Sequence, residues 1–346
     1  MSRRRSSKAP PAAFFGSAGT TLSAAERAFF RAADPAGYIL FRRNIESAAQ
    51  IAALVDAFRD CVGRADAPVL IDQEGGRVAR LPSPPWRKAP PAAVFGRIAD
   101  HDAALGARAA RLNALLIGAE LKALGINVDC APVLDLRLAG AHDIIGDRAF
   151  SDDPAVVARL GRAACEGFLA AGVVPVIKHI PGHGRARADS HESLPVVETA
   201  LDVLRQSDFA PFRALSDMPM AMTAHIVYTA ADAERPATTS PSVVASIIRG
   251  ELGFDGLLMS DDICMKALAG SLAERTAAVI AGGCDVVLHC NGVLPEMEVV
   301  AASAPPLSES GARRLGDALR RVADTPPPDV ARARRELDDI LGNKVA

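Results

Sequence analysis

The feature of this sequence that most constrains its fold is the alternation of short apolar segments with longer amphipathic stretches along almost the whole chain. Eight apolar segments, bounded by Gly, Pro or charged residues, are typical of buried parallel strands. These candidate strands span residues 12–16, 37–41, 68–74, 126–136, 173–179, 220–226, 256–262 and 284–290. The amphipathic stretches predict helices at 22–33, 46–62, 101–123, 153–170, 241–252 and 270–281. Alternating strands and helices favour a parallel sheet, and eight strands can close into a barrel.

Polar residues stand at the carboxyl ends of several of these strands, and this placement favours a closed barrel over an open doubly wound sheet. They are Asp72, Glu74, Asp135, Lys178, His179, His225, Asp261 and Asp262. In a (β/α)8 barrel these ends converge on one face, where catalytic side chains come from several strands. An open sheet would spread them along an edge, and no GxGxxG motif follows the first strand. We therefore predict an α/β fold built on a single (β/α)8 TIM-type barrel.

The chain of 346 residues has room for about two domains or one large α/β domain, and no internal repeat or second domain is visible. We assign residues 11–342 to a single catalytic barrel domain, with additional C-terminal helices at 305–342 packing on it. Residues 1–10 are expected to be a disordered basic tail. The Pro-rich stretches 82–91 and 325–329 are interpreted as a surface loop and a connector.

Composition excludes several classes of protein. The formal net charge of −2 argues against a nucleic-acid-binding surface, which normally shows a basic excess. No apolar run reaches the roughly 18 residues that span a bilayer, and the apolar patch near the N-terminus is too short for a secretory signal. The six cysteines form no CxxC pair, so we expect free thiols and a cytoplasmic location.

The first candidate site is the segment IDQEGGRVARL at residues 71–81. Two carboxylates at the end of a buried strand are costly unless they are hydrogen-bonded. The functional interpretation is ligand binding, in which Asp72 accepts hydrogen bonds from hydroxyl groups and Arg80 donates. A structural Asp–Arg pair at the barrel mouth remains the alternative.

The second candidate site is VIKHIPGHGRARADSHESLP at residues 176–195. It brings Lys178, His179, His183, Asp189 and His191 into fourteen positions, on a segment too polar for a core element. The spacing of Asp189 and His191 allows a carboxylate to orient an imidazole, which makes histidine an effective proton donor and acceptor near neutral pH.

The third candidate site is GLLMSDDICMKAL at residues 256–268, where two aspartates follow a buried strand. Asp261, nearest the strand end, is the candidate nucleophile, and Asp262 is expected to cap or support the following segment. Arg148, in GDRAFSDDP, is a further candidate donor. Together these residues suggest hydrolysis or group transfer on a polyhydroxylated substrate.

A catalytic metal and organic cofactors are not expected. The HExxH spacing of helical zinc sites is missing, and a proline and glycine separate His179 from His183. Our prediction is therefore a site with no metal and no cofactor.

The segments IDQEGGRVARL, KHIPGHGRARADSH, MTAHI and MSDDICMKAL, in this order, closely resemble the family 3 glycoside hydrolases, specifically the bacterial β-N-acetylglucosaminidases (β-hexosaminidases) of the NagZ type. The resemblance runs from about residue 12 to about residue 295. It implies a retaining exo-β-N-acetylglucosaminidase that releases terminal GlcNAc through a covalent glycosyl-enzyme intermediate. The implied substrates are peptidoglycan fragments, GlcNAc–anhydro-muramic acid with or without peptide.

The resemblance also implies the roles of individual residues. Asp261 would be the nucleophile and His191 the acid/base, with Asp189 as its partner. The remaining residues would hold the sugar: Asp72, Arg80, Arg148, Lys178 and His179. Most retaining glycosidases use a second carboxyl group as the acid/base, so a histidine is a departure from the two-carboxylate rule.

Three alternatives stay open at this point. A phosphorylase could arise on the same scaffold, because a histidine acid/base leaves the site less negative and more open to phosphate. A β-glucosidase is the second alternative, and a non-catalytic barrel that only binds cell-wall sugars is the third. We expect an amino-sugar or muropeptide substrate, neither a nucleic-acid nor a membrane partner, and a monomer.

Overall fold

A computed structural model describes residues 9–140, 142–186, 190 and 193–344 of the chain. Eight parallel strands close into a barrel in the order β1-β12-β11-β9-β7-β6-β3-β2, and two small two-stranded sheets pair β4 with β5 and β8 with β10. The strands are β1 Ala13–Phe15, β2 Gly37–Leu40, β3 Val69–Ile71, β4 Gln73–Gly75, β5 Val78–Ala79, β6 Val128–Asp129, β7 Val174–Ile180, β8 Val196–Val197, β9 Met220–Thr223, β10 Val227–Tyr228, β11 Leu257–Asp262 and β12 Val286–His289.

Helices surround this barrel. They are α1 Ala24–Ala33, α2 Ala48–Val62, α3 Ala92–His101, α4 Ala103–Ala123, α5 Pro154–Ala170, α6 Leu201–Gln206, α7 Ala210–Ala214, α8 Leu272–Ala281, α9 Leu294–Ser303, α10 Glu309–Arg320 and α11 Val330–Lys344, with a π-helix at Val243–Glu251. The predicted (β/α)8 barrel is confirmed: seven of its eight strands lie within a predicted segment, and β7 extends one residue beyond its segment, to Ile180.

The barrel strands are buried on both faces, which explains why they read as continuous apolar runs. Phe14 and Ile39 belong to the core inside the barrel, whereas their neighbours Phe15 and Tyr38 pack in the layer between strands and helices. Tyr38 stacks on Phe58 of α2, with ring centroids 4.9 Å apart. Because successive residues of a strand point to opposite faces, each strand contributes side chains both to the core inside the barrel and to the layer beneath the helices.

The C-terminal helix α10 packs against the amino-terminal end of the barrel. Leu315 of α10 belongs to the same core as the residues inside the barrel. Arg314 pairs with Asp285, at 2.9 Å, and with Asp255, two acids that precede β12 and β11. Helix α10 therefore covers the amino-terminal end of the barrel.

Two predicted helices differ from the structure. The single helix expected over 101–123 is wrong at its start, because Asp102 adopts an extended conformation and separates α3 from α4. Its carboxylate accepts hydrogen bonds from the N–H groups of Ala104 and Leu105 and so caps α4. The segment predicted as a helix over 241–252 is helical, but with the wider hydrogen-bond pattern of a π-helix.

Residues 1–8 of the predicted basic tail lie outside the described residues. At the last residue of this tail, the carbonyl of Pro10 accepts a hydrogen bond of 2.7 Å from the N–H of Leu307. No helix in the described part of the chain is both long and apolar enough to span a bilayer. Five of the six cysteines are buried, and Cys264 is partly exposed.

Candidate active site

A cavity of about 410 Å³ opens at the carboxyl-terminal end of the barrel. Its lining includes the predicted residues Asp72, Arg80, Arg148, Lys178, His179 and Asp261, which come from segments far apart in the sequence. The carboxyl ends of barrel strands supply most of them, as expected for this fold. Four acidic and four basic side chains line the cavity: Asp72, Glu74, Asp261 and Asp262 against Arg77, Arg80, Arg148 and Lys178.

A network of ion pairs forms one side of the cavity, around Lys178 of β7. Lys178 Nζ lies 2.8 Å from Asp72 Oδ1 and 2.7 Å from Glu74 Oε1. Arg148 holds Glu74 in a bidentate pair, with both N–O distances at 2.8 Å. Arg80 Nη2 reaches Asp72 Oδ2 at 3.1 Å. Each carboxylate therefore contacts two cationic groups, which offsets the cost of its burial.

These contacts decide the protonation states. Burial alone would raise the pKa of Glu74, but Arg148 and Lys178 outweigh burial and lower the pKa to about 2. Lys178 and Arg80 likewise hold the pKa of Asp72 well below its ordinary value. The pKa of Lys178 rises despite its burial, because of the two carboxylates. All of these groups are charged at neutral pH.

A buried carboxylate, Asp135, orients the two histidines at the end of β7. Its Oδ2 accepts a hydrogen bond of 2.6 Å from Nδ1 of His179, and its Oδ1 accepts one of 2.6 Å from the N–H of His183. Burial, followed by the charge of His179, lowers the pKa of His183 to about 4, so this imidazole is neutral. The bond from Nδ1 leaves Nε2 as the free ring nitrogen of His179.

Asp261 stands at the end of β11 on another part of the cavity wall. Its Oδ1 accepts a hydrogen bond of 2.8 Å from the N–H of Asp262. Burial would raise the pKa of Asp261, but the nearby His179 and His225 and this N–H together lower it. Asp261 is therefore an ionised carboxylate that faces the cavity, and it makes no ion pair with the residues that the structure describes.

Asp262 turns its side chain to the backbone. Its Oδ1 accepts hydrogen bonds from the N–H groups of Cys264, at 3.0 Å, and Cys290, at 3.3 Å. Its own carbonyl accepts a hydrogen bond from Nε2 of His225, at 3.1 Å. Asp262 therefore supports the segment after β11, whereas the carboxylate of Asp261 faces the cavity.

The two residues predicted for proton transfer, Asp189 and His191, lie outside the described residues. Ser190 between them is described, and it lines the cavity with only 3% of its surface exposed. Its carbonyl accepts a hydrogen bond of 3.2 Å from the N–H of Ala267. Ser190 therefore belongs to the cavity wall.

Several cavity residues were not selected from the sequence. Arg77 pairs with Asp147 at 3.3 Å, and Phe41 lies 5.3 Å beneath the guanidinium of Arg80. Arg77 could have been selected, because the first motif contains two arginines three positions apart, Arg77 and Arg80. Phe41 could not have been selected in this way, because a single aromatic residue after a strand usually belongs to the hydrophobic core.

The arrangement fits chemistry on a neutral, polyhydroxylated ligand. Charged groups that are already paired can exchange hydrogen bonds with hydroxyl groups, and an ionised carboxylate beside them can attack an electrophilic carbon. Among the described residues, the side chains that are spaced to hold a metal ion lie outside the cavity, at Cys264, His289 and Glu296.

Residues 17–325 match the model of the glycosyl hydrolase family 3 N-terminal domain. The chain belongs to glycosyl hydrolase family 3. This assignment confirms the resemblance inferred from the four motifs and makes the protein a glycoside hydrolase.

Individual family 3 relatives agree with this assignment. A β-hexosaminidase of Bordetella avium is 36% identical over 340 residues, covering 96% of this chain and 90% of the relative. A β-hexosaminidase of Alkalilimnicola ehrlichii is 40% identical over 280 residues, covering 80% of this chain and 79% of the relative. Among solved structures, NagZ from Neisseria gonorrhoeae in complex with N-trifluoroacetyl-D-glucosamine is 32% identical, with a TM-score of 0.84 and coverage of 97% of this chain and 98% of that chain.

Proposed function

We propose that this family 3 hydrolase is a retaining exo-β-N-acetylglucosaminidase that releases terminal β-linked GlcNAc through a covalent intermediate on Asp261. The β-hexosaminidase activity of the relatives supports the reaction, and the N-acetylglucosamine derivative bound by the gonococcal NagZ supports the sugar.

The observation that carries the mechanism is the state of Asp261. Its carboxylate faces the cavity, is held by one backbone N–H and has a lowered pKa. An ionised carboxylate with free lone pairs can attack the anomeric carbon, forming the C–O bond to the enzyme as the glycosidic bond breaks. Water then attacks the same carbon and restores Asp261, so the configuration is retained over two steps.

The leaving oxygen needs a proton in the first step, and water must lose one in the second. We assign both transfers to His191, oriented by Asp189. The position of Ser190, which lies between these two residues in the sequence and lines the cavity, supports this assignment. An imidazole can carry out both transfers near neutral pH.

The sugar is assigned to the side of the cavity that carries the ion pairs around Lys178. Asp72, Arg80, Lys178 and His179 present acceptors and donors at fixed positions, and Arg148 fixes Glu74 and donates from its remaining N–H groups. Groups whose orientation is set before binding lose little entropy when the ligand arrives. This side therefore positions the ring, and Asp261 reacts with it.

The proposed physiological substrates are GlcNAc–anhydro-muramic acid fragments of peptidoglycan, with or without stem peptide, hydrolysed during cell-wall recycling by a cytoplasmic monomer. The similarity to enzymes of the NagZ type supports this choice of substrate.

A direct assay compares p-nitrophenyl β-N-acetylglucosaminide with the matching β-glucoside, each with and without inorganic phosphate. We expect turnover of the N-acetyl substrate alone and free GlcNAc as the product in both buffers. Release of GlcNAc 1-phosphate would identify a phosphorylase, and preferred turnover of the glucoside would identify a β-glucosidase. No turnover by folded protein, on aryl substrates or on muropeptides, would favour a sugar-binding barrel.

A further inference from the structure

Three side chains with different donor atoms meet outside the sugar cavity, beside the end of β11. Cys264 follows β11, His289 ends β12 and Glu296 lies in the first turn of α9. The sulfur, a ring nitrogen and a carboxylate oxygen lie within 4.8 Å of one another. The donors come from three separate elements of the barrel, and none of the three residues lines the sugar cavity.

His289 is the unusual member of this group. Its side chain is 0% exposed, and neither ring nitrogen makes a hydrogen bond to a residue that the structure describes. Nε2 lies 3.4 Å from Glu296 Oε2. A buried imidazole whose nitrogens make no hydrogen bond to the described residues is costly, and a ligand would remove this cost.

The other two donors remain accessible. Cys264 is the one cysteine of the six that is not buried, and the side chain of Glu296 is 40% exposed. Asn291 donates a hydrogen bond to Glu296 Oε2 and steadies that carboxylate.

We propose that Cys264, His289 and Glu296 form a binding site for a divalent cation of the zinc type. A thiolate, an imidazole and a carboxylate are the three ligand types that zinc accepts, and a water molecule would complete a tetrahedral set. Magnesium and calcium prefer oxygen ligands alone, so the sulfur and nitrogen select against them. On binding, the S–H bond of Cys264 breaks, its proton passes to solvent and the sulfur bonds to the ion.

This site is separate from the proposed reaction but is connected to the cavity wall through Asp262. The N–H of Cys264 donates to Asp262 Oδ1, and the N–H of Asp262 donates to Asp261 Oδ1. A bound ion would therefore fix the segment directly after the nucleophile. The inference goes beyond the proposed function and does not depend on it.

The test is a titration of the untagged, full-length protein with Co²⁺, which replaces zinc and reports its ligands by absorption. We expect one strongly bound ion with a thiolate-to-cobalt band in the near ultraviolet, which Zn²⁺ abolishes by displacement. Cys264→Ala should remove this band, and Glu296→Gln should weaken Co²⁺ binding by at least about tenfold, since each metal ligand contributes kilocalories of binding free energy.

Two matched variants serve as controls. Cys165→Ala removes a buried thiol of α5, and Glu298→Gln removes an exposed carboxylate from the same helix as Glu296. Both should leave the band and the affinity unchanged. Because Cys264 and Glu296 are partly exposed, their variants should fold, and circular dichroism checks this.

A second readout uses a thiol reagent, which should modify Cys264 at least about tenfold more slowly when Zn²⁺ is present, because the bound thiolate is no longer free. The proposal is overturned if no thiolate band forms in the unaltered protein. It is also overturned if Zn²⁺ binds with equal affinity to Cys264→Ala, which would locate the ion elsewhere, for example at the histidines of the cavity.

Discussion

The carboxylates around the cavity differ in their partners from one side to the other. On the side of β3 and β7, Asp72 and Glu74 each contact two cationic groups at 2.7–3.1 Å. On the side of β11, Asp261 accepts a backbone hydrogen bond and, within the described part of the chain, forms no ion pair. The two regions share one cavity but give their carboxylates different chemistry.

A third carboxyl group sharpens this comparison. Asp129 is fully buried, accepts a hydrogen bond from the N–H of Gln73 and leaves Oδ2 without a partner among the described residues. Burial raises its pKa to about 8. A paired acid is thus fixed and ionised, a buried unpaired acid keeps its proton, and Asp261 is ionised with lone pairs still available for attack.

The largest effect is expected for Asp261→Ala. Removal of a nucleophile costs roughly 10⁴–10⁶-fold in kcat. The melting temperature should change little, because Asp261 makes no ion pair with the described residues. Steady-state kinetics on the aryl N-acetylglucosaminide measure the loss, and azide should restore part of the turnover by taking the place of the carboxylate. Residual activity above one hundredth would assign the nucleophile to another residue.

The next effect separates His191 from Asp261. His191→Ala should slow substrates with poor leaving groups by about 10²–10⁴-fold, because these need a donated proton. Activated aryl glycosides need none in the first step and should lose much less in that step. A series of leaving groups with graded acidity measures the slope, and equal losses across the series would remove His191 from the acid role.

Among the ion pairs around Lys178, a substitution is expected to lower the free energy of unfolding. Lys178→Met leaves two buried carboxylates with one cationic partner each, which should cost about 3–5 kcal/mol of unfolding free energy. The matched control is Arg162→Met, which breaks the exposed Arg162–Asp217 pair and should cost about 0–1 kcal/mol. Urea unfolding measures both. Equal losses in the two variants would show that the buried network contributes nothing beyond a surface pair.

The smallest effect concerns Asp129 and its pH dependence. The raised pKa keeps a proton on Asp129 in the folded protein up to about pH 8, whereas the unfolded chain releases it near the ordinary aspartate pKa of 3.8. Stability from this group is therefore present at low pH and is lost as the pH rises between these values.

Asp129→Asn removes this titration. We expect the variant to gain stability relative to the unaltered protein when urea unfolding is repeated at increasing pH. The opposite slope belongs to Glu74, whose lowered pKa makes its contribution fall as the pH drops from 4.5 to about 2. A stability difference for Asp129→Asn that does not change with pH would contradict the raised pKa.

Much of the fold could be predicted because it depends on short-range patterns. The eight strands can be recognised in the sequence as apolar runs, because both of their faces are buried. Helix α3 was not predicted, because Ala92–His101 follows a Pro-rich stretch and continues, in sequence, into the pattern of α4. Only the capping contact of Asp102 separates the two helices, and a single capping residue inside a helical pattern is a weak signal.

The contents of the candidate site could be predicted in part. Asp72, Arg80, Arg148, Lys178 and Asp261 were selected, and the cavity brings them together. Asp135 was predicted to lie at the carboxyl end of a strand, but no role in the site was predicted for it. Asp135 orients His179 and His183, but its carboxylate gains this purpose only when β6 and β7 become neighbours.

The amino-acid sequence by itself determined the barrel, the end that carries the polar residues and the chemical types available there, because these follow from periodicity and from the cost of burying charge. The tertiary structure decided which carboxylates are paired, since an ion pair depends on distances between residues such as Asp72 and Lys178, 106 positions apart. It also decided that Cys264, His289 and Glu296 meet. Their spacing in the chain follows no metal-binding motif, and only the closure of the barrel brings the three donors together.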